Sequence, residues 1–295
     1  MDVMTDKTLR IALEWFLNPD HLPLLAARDR LEAQGITLDL IVPYDHYDGF
    51  DALAEGKVDL VVNEPLHLVE QRDCRLVSRG CFFATDGGVL MHRPALDRLA
   101  KGGAVRIASP VSNPTTDGLC RDILSGWLGR QSGTMADGPV TIEEAGFDHV
   151  DNLAAGYDGA WLAFANVEGV AAQVRGLDTV MVTTAEAGVP DFSALELISG
   201  AEPGAALDAA IDLLVEALDI AIADLRADPE AARALWYRAS GEARSEEMDA
   251  IIADTLSRFV APVRPDIARW RPMWRYLSTR SEDVVDEATF ETMFA

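Results

Sequence analysis

Lysine is nearly missing from this chain. Only Lys7, Lys57 and Lys101 occur in 295 residues, and 49 acidic against 25 basic side chains leave a formal net charge of −24. A polyanion partner needs a basic stripe that releases counterions, so this balance argues against nucleic acid and against an anionic membrane surface. It does not exclude a small anionic ligand, because a local pocket can oppose the global field. Cysteine is scarce too: Cys74, Cys81 and Cys120 form no Cys-x-x-Cys pair and suggest reduced thiols rather than a disulfide framework. No apolar run approaches the ~20 residues of a membrane span. The nearest, Ala205 to Leu225, is interrupted by Asp208, Asp212, Glu216, Asp219 and Asp224, the first four at helical spacing. The opening Met1-Asp2-Val3-Met4-Thr5-Asp6-Lys7 has neither the basic nor the apolar region of an export signal. The expectation is therefore a cytoplasmic protein as the sequence stands, periplasmic only if an upstream signal is missing. There is no Gly-x-Ser-x-Gly elbow and no His-Glu-x-x-His pair, so the sequence marks no hydrolase nucleophile and no metal ligand set. Nor does it imply a cofactor.

With 49% apolar and 25% charged residues, what remains is the composition of a folded protein of two ordinary domains or one large α/β unit. Leu9 to Trp15 alternates with the period of a half-buried strand. A helix from about Pro23 to Ala33, stopped by Gly35, leads to a second strand at Ile36 to Val42. Gly49 to Gly56 reads as a short helix before a strand at Val58 to Asn63. A second set follows from Gly88, with strands at Val89 to His92 and Val105 to Ser109, and a helix opened by Ser112-Asn113-Pro114-Thr115-Thr116-Asp117. Strands alternating with helices predict βαβ units around mostly parallel sheets. Long helices take over beyond Gly200. An internal echo links Phe50-Asp51-Ala52-Leu53-Ala54-Glu55-Gly56 to Val150-Asp151-Asn152-Leu153-Ala154-Ala155-Gly156. Ordinary helix-stop chemistry accounts for it, or else two related lobes, each bringing strand ends to a ligand cleft. The second reading is preferred. It sets lobe 1 at residues 1–87 and 190–295 and lobe 2 at 88–189.

Leu13-Glu14-Trp15-Phe16-Leu17-Asn18-Pro19-Asp20-His21-Leu22-Pro23, the stop at Gly35 and Gly56-Lys57-Val58-Asp59 together resemble the NMT1/THI5-like family. That family has the periplasmic-binding-protein-like fold and includes thiamine-pyrimidine and sulfonate binders and the fungal thiamine pyrimidine synthases. The likeness is clear over Leu9 to Leu68 and weaker to about Val182. It implies a two-lobed α/β fold with the ligand between the lobes. In the synthases a lysine after the Gly-Lys-Val-Asp strand anchors pyridoxal phosphate, and a histidine four residues later donates atoms to the product. The corresponding positions here are Asn63 and His67. An amide forms no Schiff base. The synthases' cysteine-dense segment has no counterpart in Ala187 to Ala194.

The resemblance places Trp15 against a planar ligand ring, although Trp15 also fits as a core residue of its strand. His21 and His67 either hydrogen-bond a ligand or are satisfied within the fold. Glu64 stands beside them as a further polar group, but no motif joins them in a metal site. Ser112, Thr115 and Thr116 either turn donors toward an anion or only cap a helix. Asn166, with Tyr157 and Glu168, follows a strand of the second lobe, and Tyr44-Asp45-His46-Tyr47 follows the second strand of the first. The bases and aromatics of Arg269-Trp270-Arg271-Pro272-Met273-Trp274-Arg275-Tyr276 suit a terminal helix docked on the body better than a nucleotide-stacking surface. The function expected is that of a small-molecule binding protein for a thiamine-pyrimidine precursor or a similar planar or anionic ligand. The resemblance implies membrane components of an ABC transporter as partners. The alternative is a cytosolic enzyme on the same scaffold, a pyrimidine synthase or a desulfinase-like lyase, which Asn63 disfavours in its synthase form.

Overall fold

A computed structural model describes residues 7–43, 47–72, 74–132 and 139–294, the side chains of 115, 131 and 132 excepted. The chain divides into two compact units. The first comprises residues up to Ala84, Ala194–Arg244 and Thr255 onward; the second comprises Thr85–Ser193 and Ser245–Asp254. The elements of the first run begin with β1 (Lys7–Ala12), α1 (Leu22–Glu32), β2 (Ile36–Ile41) and α2 (Gly49–Ala54). They continue with β3 (Leu60–Asn63), α3 (Pro65–Leu68) and β4 (Leu76–Ala84). The second unit holds β5 (Gly87–His92), α4 (Arg93–Ala100), β6 (Val105–Ser109), α5 (Pro114–Ser132) and β7 (Val140–Glu144). After these come α6 (His149–Ala154), β8 (Gly159–Phe164), α7 (Val170–Val174), β9 (Thr179–Thr183) and α8 (Thr184–Ala187). The chain then returns through β10 (Ala194–Gly200) to α9 (Ala205–Ala227), α10 (Pro229–Ser240), α11 (Glu246–Arg258), α12 (Ile267–Ser278) and α13 (Glu287–Thr292).

Each unit is built on a five-stranded mixed sheet, ordered β2-β1-β3-β10-β4 in the first and β7-β6-β8-β5-β9 in the second. The first three strands in each order run parallel, and the remaining pairs are antiparallel. The same wiring therefore occurs twice, and the sequence echo marks its shared part. Gly56 and Gly156 both adopt positive φ (70° and 105°), the left-handed stop that ends α2 and α6. Asp59 accepts the backbone N–H of Arg10 at 2.8 Å and returns its own N–H to the Arg10 carbonyl. Asp158 makes the same exchange with Arg106.

β1 stops at Ala12, so Leu13 to Phe16 form a bend rather than the end of the strand expected from alternation. The antiparallel strands β4, β9 and β10 were not expected from the pattern. β10 is buried along nearly its whole length and so carries no alternation to read. Its Glu196 sits in the core of the first unit, where it accepts hydrogen bonds from Ser78 Oγ and from Trp270 Nε1 at 3.1 Å. The Arg/Trp segment is α12, docked on the first unit by that bond and by Trp274 Nε1 to the Val285 carbonyl at 2.9 Å. Its Arg271 pairs with Glu287 and Glu291 of α13.

Burial raises the Glu196 carboxyl from an ordinary value near 4.5 to about 7, with Ser78 and Trp270 offsetting only part of the loss of water. A carboxyl whose folded pKa lies above its unfolded one costs stability once ionised. The wild-type protein is thus expected to lose stability as pH rises from the unfolded value through the folded one. Glu196→Gln keeps a partner for both neighbours and removes the charge. It should be more stable than the wild type at about pH 8 by about 2–3 kcal/mol and indistinguishable at about pH 4. Urea melts at the two pH values check this.

Candidate functional site

In the first unit the chain leaves β1 toward β2 on one side, then crosses back to β3 on the other. The carboxyl ends of β1 and β3 are therefore a switch point, where diverging loops leave a crevice in an open sheet. Only Ile11↔Leu60 and Ala12↔Val61 pair the two strands. Beyond them lies a pocket of about 520 Å³ lined by Leu13 and Glu14 after β1, Tyr47 to Phe50 before and in α2, Asn63 at the end of β3, and His67, Glu70 and Arg72. The start of α2 comes this close because residue 49 is glycine; a Cβ there would lie 3.2 Å from Ala12 Cβ and 3.3 Å from Val61 Cγ1.

The polar groups of this wall form two clusters. Glu14 Oε1 meets His21 Nε2 at 3.1 Å, both side chains being shut off from solvent. His21 Nδ1 lies 3.2 Å from both the amide nitrogen and the carbonyl oxygen of Asn18, which caps the turn Pro19–His21. Burial alone would depress His21, but the charge and hydrogen bond of Glu14 outweigh it and raise its pKa. The second cluster is local to the segment after β3. His67 Nδ1 meets Glu70 Oε1 at 2.9 Å, and Arg72 Nη2 donates to Glu70 Oε2 at 2.7 Å. The Arg72 guanidinium lies over the Phe50 ring, 4.1 Å from its centre. Burial pulls His67 down, yet Glu70 and the charge of Glu64 more than compensate and leave the imidazole pKa raised. Glu70 is correspondingly lowered, since His67 and Arg72 together overcome the burial that would raise it.

The structure thus brings Asn63 and His67 to one pocket. Trp15 is half-buried in the bend after β1 and does not line it. His21 is fully buried, with both ring nitrogens engaged by the fold. Glu64 is buried behind the wall at the start of α3. Glu14, Glu70, Arg72 and Phe50 were not singled out from the sequence. Glu70 stands three residues beyond His67, one helical turn, and that spacing was the available signal.

In the second unit the equivalent switch point lies between β6 and β8. Ser112 Oγ donates to both oxygens of Asp117 at 3.1 Å, and Asn113 Oδ1 accepts the Thr116 N–H at 3.0 Å. These groups cap α5 from within its own sequence. The Thr115 side chain lies outside the described residues, as do Tyr44, Asp45 and His46. Asn166 is fully buried on a single π-helical turn, Ala165–Gly169. Nearby, Glu168 Oε2 accepts the Phe164 N–H at 2.7 Å, and Oε1 lies 3.6 Å from His149 Nδ1. Burial raises the Glu168 carboxyl despite that histidine. Tyr157 donates to Glu143 at 3.0 Å under the Arg106 guanidinium.

Residues 124–232 match the family model described as NMT1/THI5 like. No curated protein matches the chain. Among solved structures, the alkanesulfonate-binding protein SsuA from Xanthomonas axonopodis pv. citri, bound to MOPS, is 16% identical with a TM-score of 0.66, covering 97% of this chain and 99% of that one. The zinc-bound ligand-binding component of an ABC-type import system from Staphylococcus aureus is 13% identical, with a TM-score of 0.65 and coverage of 97% and 98%. A Candida albicans protein with the generic periplasmic binding protein fold is 14% identical, with a TM-score of 0.60 and coverage of 97% and 94%. At these identities the likeness is one of fold.

Two outcomes follow from the wall. In Glu70→Gln the burial of His67 is opposed only by the charge of Glu64, so its NMR titration midpoint should fall from its raised value. His21→Ala leaves the Glu14 carboxylate buried without its partner and should cost about 3–5 kcal/mol in denaturant unfolding.

Proposed function

We propose that this chain, whose residues 124–232 match the NMT1/THI5-like model and whose fold is that of periplasmic binding proteins, is a solute-binding protein whose ligand enters the pocket at the carboxyl ends of β1 and β3. The observation that carries this reading is the pocket itself. A space of about 520 Å³ is of the size that takes a small organic molecule. It lies where a parallel sheet is expected to bind one. Asn63 in place of a Schiff-base lysine favours binding over synthase chemistry. The ligand proposed is a thiamine-pyrimidine precursor or a planar molecule of similar size. Relatives in fold include ligand-binding components of import systems, which supports delivery of the solute to the membrane components of an ABC transporter as the role of the complex.

Thermal melting against thiamine-pyrimidine precursors, sulfonates and aromatic acids tests the reading. A solute at a hundredfold excess over its Kd should stabilise the protein by about 2.7 kcal/mol. Asn63→Leu, which removes the amide at the end of β3, should abolish that gain. A panel that leaves the melting temperature unmoved would overturn the proposal.

A further inference from the structure

Two wall residues of the pocket, Glu70 and Arg72, sit on the irregular run between α3 and β4, and His67 takes the partner of its Nδ1 from the same run. An irregular run has no ladder of its own, so its shape is set by whatever pairs with its backbone. Among the described residues, the backbone hydrogen bonds from residues 69–72 to distant parts of the chain all reach residues 282–285, between α12 and α13. Gln71 donates its N–H to the Asp283 carbonyl at 2.7 Å, and Val285 donates to the Val69 carbonyl at 3.0 Å. Together they make an isolated antiparallel bridge of Glu70 and Val284. The Gln71 side chain adds to it, with Nε2 donating to the carbonyls of Glu282 at 3.0 Å and Val284 at 3.2 Å. Successive side chains of an extended bridge point to opposite sides. Glu70 and Arg72 accordingly line the pocket, while Gln71, between them, turns to the other segment.

That segment is anchored on its far side. Val285 is buried, and its carbonyl accepts Trp274 Nε1 of α12 at 2.9 Å. Phe290 of α13 stacks on the Trp274 ring with centres 5.1 Å apart, and the Met293 carbonyl accepts the Ser78 N–H of β4 at 2.7 Å. We propose that residues 282–285 are a strap that holds the pocket wall in shape, and that Gln71 is the positioning residue through which the strap acts. With the strap engaged, Glu70 is kept where it meets His67 Nδ1 at 2.9 Å and Arg72 Nη2 at 2.7 Å. Once Gln71 lets go, the bridge is left with its backbone bonds alone, and the run opens more often. The Glu70 carboxylate then loses its fixed place beside the imidazole. The effect on affinity rests on the reading of this pocket as a solute site, whereas the shape of the wall is measurable without a solute.

Native-state amide exchange of the full chain, read by NMR, is the test. The amides at position 71 and at Val285 donate across one bridge and should open together, with less protection than Leu197 in β10, which is paired on both sides. Gln71→Met keeps the length of this exposed side chain and removes only its two hydrogen bonds, so the fold should persist. Exchange at both bridge amides should rise about tenfold, with Leu197 unchanged. Burial pulls the His67 titration midpoint down and Glu70, with Glu64, holds it up against Arg72. None of these groups is altered in Gln71→Met, so a lower midpoint reports that Glu70 has moved away. A compound of the melting panel that stabilises the wild type should bind Gln71→Met about tenfold more weakly. Unchanged exchange at Val285, or a His67 midpoint that stays in place, shows that Gln71 positions nothing and ends the proposal. Equal affinity of the two proteins for the same compound removes the strap's part in binding. If no compound binds, the solute reading falls, and exchange and titration still decide the strap.

Discussion

Two residue pairs hold β1 against β3, and the Asp59 carboxylate locks them in register. Besides the Arg10 backbone N–H, it accepts Nε and Nη2 of the same arginine at 3.0 Å each. A strand joined to its neighbour over so short a length must part from it soon after, and the chain has to fill the gap with loops. The pocket exists because Leu13–Glu14, the start of α2 and the segment after β3 all turn away from that one junction. The second unit repeats the constraint with Arg106 and Asp158, and there, too, β6 and β8 share only two residue pairs. Where α2 opens on a glycine pressed against both strands, α6 opens on His149, whose Nε2 reaches the Trp161 carbonyl at 3.0 Å. One device has been built with two different fillings.

Electrostatics at the first junction shows how little net charge says about a site. Acidic residues lie on solvated helix faces such as that of α9, where Asp212, Glu216 and Asp224 are exposed. Within the pocket wall, acidic groups are consumed locally: Glu14 holds a buried imidazole, and Glu70 lies between an imidazole and a guanidinium. Short-range pairing in a partly enclosed space outweighs the distant field, because screening by water and salt falls away at the distances involved.

Much of the scaffold was legible in the sequence. The helix stops at Gly56 and Gly156, the strand at Ile36 and the α1 helix ahead of Gly35 follow from local rules, since left-handed glycine stops and strand alternation act over a few residues. The antiparallel returns β4, β9 and β10 were not, because β10 is buried on both faces and no alternation marks it. The crossing of Ser245–Asp254 into the second unit has no local cause either. It depends on Ile251 entering the apolar cluster around Leu153 and Ala160, and on Arg175 bridging Asp151 and Glu247. Arg72 was not legible as a site residue, because nothing in its neighbourhood announces the Phe50 ring beneath it, 22 positions earlier in the chain.

The sequence by itself determined the α/β class, the repeated strand–helix–glycine unit, the likeness to the NMT1/THI5-like family and the place of His67 after β3. These are properties of spacing and residue type, and neighbours in the chain suffice to decide them. Only the tertiary structure decided that His21 is closed off while His67 is left facing a pocket. Two histidines with the same intrinsic chemistry are separated by what packs around them: Glu14 and Asn18 occupy every polar atom of the first, while among the described residues a single glutamate engages one nitrogen of the second and nothing engages the other.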